Sequence, residues 1–88
     1  MEPAETLLQF PCAFPVKVVG LRTDGFAQQM VDLVLALVPD FRPETVEMRA
    51  SKAATYLSLT LTVTVASQAQ LDAVYRALSG HPAVKFVL

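Results

Sequence analysis

Between Tyr56 and Val65 the chain alternates without an error. Leu57, Leu59, Leu61, Val63 and Val65 are aliphatic, and Tyr56, Ser58, Thr60, Thr62 and Thr64 carry hydroxyls. A strand points successive side chains to opposite faces, so this segment is a long strand with one apolar face and one polar face. Such a strand belongs in a sheet covered on one side only, and the rest of the chain has to supply that cover.

Two segments fit that role. Asp24 is the expected N-cap of a helix running to about Val38, where Pro39 blocks continuation. Phe26, Met30, Leu33, Val34 and Leu37 recur on one side of it at helical spacing. Farther on, Ser67 and Gln70 fit a capping box that opens a second helix carrying Leu71, Val74, Tyr75 and Leu78. Gly80 and Pro82 end it. Three more strands read from alternation. Phe14, Val16 and Val18 share one face of the first, which Gly20 ends. Val46, Met48 and Ala50 share one face of the second, joined to the long strand by a turn at Ser51–Thr55. Val84, Phe86 and Leu88 share one face of the last.

The order is therefore β-α-β-β-α-β. Crossover rules and two helices with one strong apolar face each place both helices on one side of a four-stranded antiparallel sheet. The expected fold is α+β, a ferredoxin-like two-layer sandwich with strand order 4-1-3-2, spanning residues 13–88 behind an N-terminal arm at 1–12. The other sheet face is expected to show Lys17, Val19, Glu47, Arg49, Tyr56, Ser58, Thr60, Thr62, Thr64, Lys85 and Val87.

Composition removes several function classes. With one Cys and one His among 88 residues, a disulfide framework or a Cys/His zinc site cannot be assembled, and no cofactor is expected. A net charge of −1 exerts no general pull on nucleic acid or anionic membrane. Lys17, Arg49 and Lys85 could meet phosphate, but sheet-based RNA binders need two or three stacking aromatics and this reading offers only Tyr56. No apolar run is long enough to span a bilayer, and the acidic start, Met1-Glu-Pro-Ala-Glu5, is unlike a secretory signal. The expectation is a cytoplasmic domain with neither a nucleic-acid nor a membrane partner. Cys12 has no nearby cation to activate it, and His81 has no partner at a catalytic spacing, so the chain does not read as an enzyme.

One loop is different. Gly20, Arg22, Asp24 and Gly25 lie where the first strand hands over to the first helix, and free N–H groups at a helix start favour an anion. These four residues are the candidate ligand site, for a small metabolite.

The opening Phe10-Pro11-Cys12, then Phe14-Pro15-Val16-Lys17-Val18 and Gly20, resembles the signature of the YbeD-like family of small bacterial proteins. The likeness continues through a helix ending at Pro39, a Ser51-Lys52 turn, a Thr-rich strand from Tyr56 and the closing Val84-Lys85-Phe86-Val87-Leu88. It implies a ferredoxin-like fold similar to ACT regulatory domains, no established activity, and a regulatory role linked to lipoate metabolism. In ACT-like domains effectors bind near the strand-to-helix loop, often across a dimer interface. Asp24-Gly25-Phe26 resembles the Asp-x-Pro-Gly-Leu pattern of those loops without its proline. Two departures stand out: Ala53-Ala54-Thr55 replaces a Gly before the Tyr, and Leu35-Ala-Leu-Val38 is apolar where the family is polar.

Charge is distributed unevenly along the chain. Residues 23–48 carry a net −4, residues 49–88 a net +3, and residues 1–22 are neutral. Val31, Leu35 and Val38 form a second apolar set on the first helix, extended by Phe41, which a one-sided helix does not need. A homodimer covering this stripe or the edge at the second strand is expected; the alternatives are a different protein partner, or the Leu7–Phe10 arm folding back over the stripe.

Overall fold

A computed structural model describes residues 9–51, 53 and 55–88. The expected order is present: β1 (Cys12–Leu21), α1 (Phe26–Leu37), β2 (Glu47–Ala50), β3 (Tyr56–Val65), α2 (Gln68–Ser79) and β4 (Val84–Val87), with a 3-10 turn at Pro43–Thr45 before β2. The sheet runs β2-β3-β1-β4 and every neighbouring pair is antiparallel. Both helices lie on one face. Residues 1–8, and with them Leu7 and Leu8 of the expected arm, lie outside the described residues, as do Lys52 and Ala54 of the β2–β3 turn. That hairpin closes through Ser51, whose N–H donates to the Tyr56 carbonyl (3.0 Å) and whose Oγ accepts from the Tyr56 N–H (3.2 Å).

The centre of the sheet is the long pair β1–β3, in register from Cys12 opposite Val65 to Leu21 opposite Tyr56. Its inner face contributes Val16, Val18, Leu59, Leu61, Val63 and Val65 to a core completed by Phe26, Met30 and Val34 of α1 and Leu71, Val74 and Leu78 of α2. The expected cap at α2 forms with one shift: Ser67 Oγ accepts from the Gln70 N–H at 3.1 Å, and Gln70 Oε1 reaches past the N-cap to accept from the Ala66 N–H at 2.7 Å. The same Gln70 amide donates to the Leu37 carbonyl at 3.1 Å, so one side chain satisfies groups at the start of α2 and the end of α1.

Four expectations are corrected. Helix α1 is capped by Gly25, at φ +81°, and Asp24 makes no capping hydrogen bond. The Val31, Leu35 and Val38 stripe is not open: Val31 and Val38 are buried, as is Phe41, and Leu35 is half-buried against the core. Because α1 packs on α2 as well as on the sheet, a wider arc of it is covered within one chain. Strand β2 lies beyond the helical layer: all four of its residues are exposed, Met48 to 62%. Finally, β4 does not alternate as read. A bulge at Val19/Gly20 sets Val84 opposite Gly20 but Val87 opposite Val18, so both valines face inward and Phe86, opposite Val19, faces outward. One extra residue in a strand reverses the facing of everything beyond it.

Candidate functional site

The loop between β1 and α1 is held from both sides. The Leu21 N–H donates to the Ala83 carbonyl (3.0 Å) and the Arg22 N–H to the Thr55 carbonyl (2.9 Å), fastening the loop to the starts of β4 and β3. Thr23 donates back to the Leu21 carbonyl (3.0 Å), and Phe26 N–H donates to the Thr23 carbonyl (3.1 Å). The chain then turns through Gly25 in the left-handed region, where a Cβ would be strained. With that turn the N–H groups of Ala27 and Gln28 come to stand in the first turn of α1, where no intrahelical partner exists and no side chain caps them.

These residues border a cleft of about 450 Å³ lined by Arg22, Thr23, Asp24, Gly25, Phe26, Ala27, Gln28 and, from β3, Leu57. Of the four residues expected at the site, Arg22, Asp24 and Gly25 are together here. Gly20 is not: it is buried in β1, and a Cβ on it would stand 2.5 Å from the Ala83 carbonyl oxygen and 2.6 Å from Cζ of Phe26. Its part is to let the Phe26 ring lie against the sheet, which positions the cleft without lining it. Leu57 supplies an apolar wall from a distant part of the chain, which its place in the β3 alternation did not disclose.

The electrostatics of the cleft are open. Among the described residues the one ion pair is Arg42–Glu44 at 3.0 Å on the surface, so the Arg22 guanidinium and the Asp24 carboxylate, both exposed, are not tied to each other or to another charge. Free N–H groups, the positive end of the helix dipole and Arg22 together suit a carboxylate or phosphate. Asp24 beside them suits a group that donates hydrogen bonds or carries positive charge.

Other candidates have structural explanations. His81 Nδ1 accepts from the Ala83 N–H at 3.1 Å and shapes the turn into β4. Cys12 is a free, half-buried thiol at the start of β1. Tyr75 packs edge-on to Phe14 (6.4 Å between ring centres) and donates to the Leu88 carbonyl at 3.1 Å; partial burial raises its pKa above the usual phenol value. Among the described residues no cluster of three or more His, Cys, Asp or Glu side chains could hold a metal, and no helix is long and apolar enough to cross a membrane.

The family profile described as "Protein of unknown function (DUF493)" matches residues 5–88, nearly the whole chain. The chain belongs to the DUF493 family. Among DUF493 relatives, a UPF0250 protein of Leptothrix cholodnii is 52% identical over 84 residues, covering 96% of this chain and 92% of that one. A UPF0250 protein of a Janthinobacterium species is 48% identical over 88 residues, covering 100% and 97%. The solution structure of protein HP0495 from H. pylori superposes with a TM-score of 0.77 at 18% identity, covering 99% of this chain and 88% of the other. The ACT domain from GTP pyrophosphokinase of Chlorobium tepidum superposes with a TM-score of 0.69 at 17% identity, covering 88% and 83%. At these identities the two structures speak for the fold, which is ferredoxin-like and ACT-like.

Proposed function

We propose that this DUF493 protein is a non-catalytic regulatory module of the cytoplasm that binds a small metabolite in the cleft between Arg22 and Gln28. The cleft carries the reading: it joins two uncapped N–H groups, a cation in no ion pair among the described residues, a carboxylate and an apolar wall in one concave space. A ligand with an anionic end and a short apolar body fits that set, its anion on the Ala27 and Gln28 N–H groups and Arg22, its body against Leu57. The ACT-like fold supports the reading as an analogy.

A homodimer through the β2 edge belongs to the same proposal. Strand β2 is exposed along its length and Met48 projects from it, as an edge does when a second strand is to be added. The stripe on α1 is no longer a competing surface. Met48→Lys should shift a dimer to monomer in sedimentation while leaving the melting temperature of the fold nearly unchanged.

The test is a thermal-shift screen against amino acids, lipoate, octanoate and nucleotides, repeated on Arg22→Ala. A ligand at a hundredfold excess over its Kd adds about 2.7 kcal/mol of apparent stability. The expected result is a rise in melting temperature for one ligand class that Arg22→Ala abolishes. No shift with any class, or a shift that Arg22→Ala leaves intact, contradicts the metabolite reading. In that case an assembly module without a small ligand, working through β2, takes its place.

A further inference from the structure

The outer face of the sheet, away from both helices and from the cleft, holds a second constellation. In register, Phe86, Val19, Ser58 and Arg49 form one row across β4, β1, β3 and β2. Lys17, Thr60 and Glu47 form the next row, and Tyr56 stands opposite Leu21 on the other side. The exposed large apolar side chains on this face are Phe86 at 50% exposure, Tyr56 and the Leu21 opposite it at 38% each, and Leu88, paired with Lys17, at 63%. The bulge in β4 is what puts a second aromatic here, where a regular strand would have placed Val87.

The geometry of the rows makes two parallel lines. With strands about 4.8 Å apart and a rise of about 3.3 Å per residue, the Cα atoms of Phe86 and Tyr56 lie about 12 Å apart on a diagonal. Lys17 and Arg49 lie about 12 Å apart on a second diagonal in the same direction, about 8 Å from the first by the same spacings. Ser58 and Thr60 flank the cationic line between its ends. Neither Lys17 nor Arg49 is in an ion pair among the described residues. Two adjoining hollows, of about 320 and 170 Å³, share Lys17, Arg49 and Ser58; Glu47 also lines the first, and the second reaches Tyr56.

We infer that this face binds single-stranded RNA. A line of exposed rings beside a line of unpaired cations matches a strand that lays its bases on one and its phosphates on the other, with the serine and threonine hydroxyls placed to meet 2′-hydroxyls. Duplexes bury their base faces and cannot use the rings. A second copy of the chain is a poor occupant. Four strands across and about five residues along give about 320 Å², against about 800 Å² per partner in a stable dimer.

The experiment is fluorescence anisotropy with a short fluorescein-labelled oligo(U) RNA, titrated with the full chain over a range of salt. Two phosphate contacts give a slope of log Kd-derived affinity against log salt of about −1.4. Lys17→Gln should halve that slope to about −0.7. Phe86→Ala should weaken binding about tenfold and leave the slope unchanged. Phe86 is half exposed, so its variant should melt like the wild type; Tyr56→Ala is the second aromatic deletion and should give the same loss. A DNA oligonucleotide of the same length should bind more weakly. Absence of binding at low salt, or affinities indifferent to Phe86→Ala and Tyr56→Ala, overturns the inference. Equal affinity for DNA overturns the assignment to RNA. Displacement of the RNA by an oligo-glutamate peptide at matched charge overturns it in favour of an acidic protein partner.

Discussion

The central strands and the edge strands of this sheet obey the same alternation in sequence but behave differently in the fold. On β1 and β3, ten paired residues share one register, and helices cover the inner face throughout the middle. A slip of one position there would turn Leu59, Leu61 and Val63 to water, so the register is strongly held. Strands β2 and β4 are four residues long and each has one neighbouring strand only, with Lys85 of β4 left without an opposite residue. Little apolar area is at stake, and a bulge or an uncovered Met48 is tolerated. The scaffold is thus set by the centre, while the surfaces free to meet other molecules lie at its margins.

The largest effect that would break this contrast comes from the pair Leu59→Ala and Met48→Ala, neighbours on one face of β3 and β2. Leu59 is fully buried, so its truncation should cost about 2–5 kcal/mol in urea unfolding. Met48 is exposed, so its truncation should stay within about 0.5 kcal/mol for the monomer. Equal losses would mean that β2 is as well covered as β3. Next comes Gly20→Ala. The added Cβ meets backbone and the Phe26 ring, and overpacking of this kind costs about 1–3 kcal/mol. A neutral result would mean that Phe26 is not seated on β1.

The smallest effect concerns the chain end. Tyr75 donates to the Leu88 carbonyl and its pKa is raised, so the folded form holds the phenol protonated more firmly than the unfolded chain does. Its contribution is complete below the ordinary phenol value near pH 10 and disappears as pH rises through the higher folded value. Melting temperature should therefore fall above about pH 10, and the Tyr75→Phe variant should lose that part of the fall. A fall identical in both proteins would assign it elsewhere.

The same contrast explains what could be read in advance. The β3 alternation, the Ser67–Gln70 cap and the Gly80–Pro82 stop each use a local rule strong enough to survive packing, and the strand order follows from them. The bulge in β4 was not legible, because Ala83-Val84-Lys85-Phe86 contains no glycine to mark it. The second stripe on α1 was misassigned because periodicity cannot distinguish a neighbouring helix from a second chain. Of the cleft, Arg22, Asp24 and Gly25 are consecutive enough to be seen as a loop, whereas Leu57 comes from a strand whose turn toward α1 only the tertiary fold provides.

An irregular edge strand decides what the outer face presents, through which of two adjacent residues points outward. Denaturant midpoints of Phe86→Asp and Val87→Asp test it most directly. Phe86→Asp should unfold near the wild-type midpoint, while Val87→Asp, which drives a charge toward Val18, should be strongly destabilised. The reverse pattern, with Phe86→Asp the destabilised variant, would restore the regular alternation and place Phe86 on the inner face.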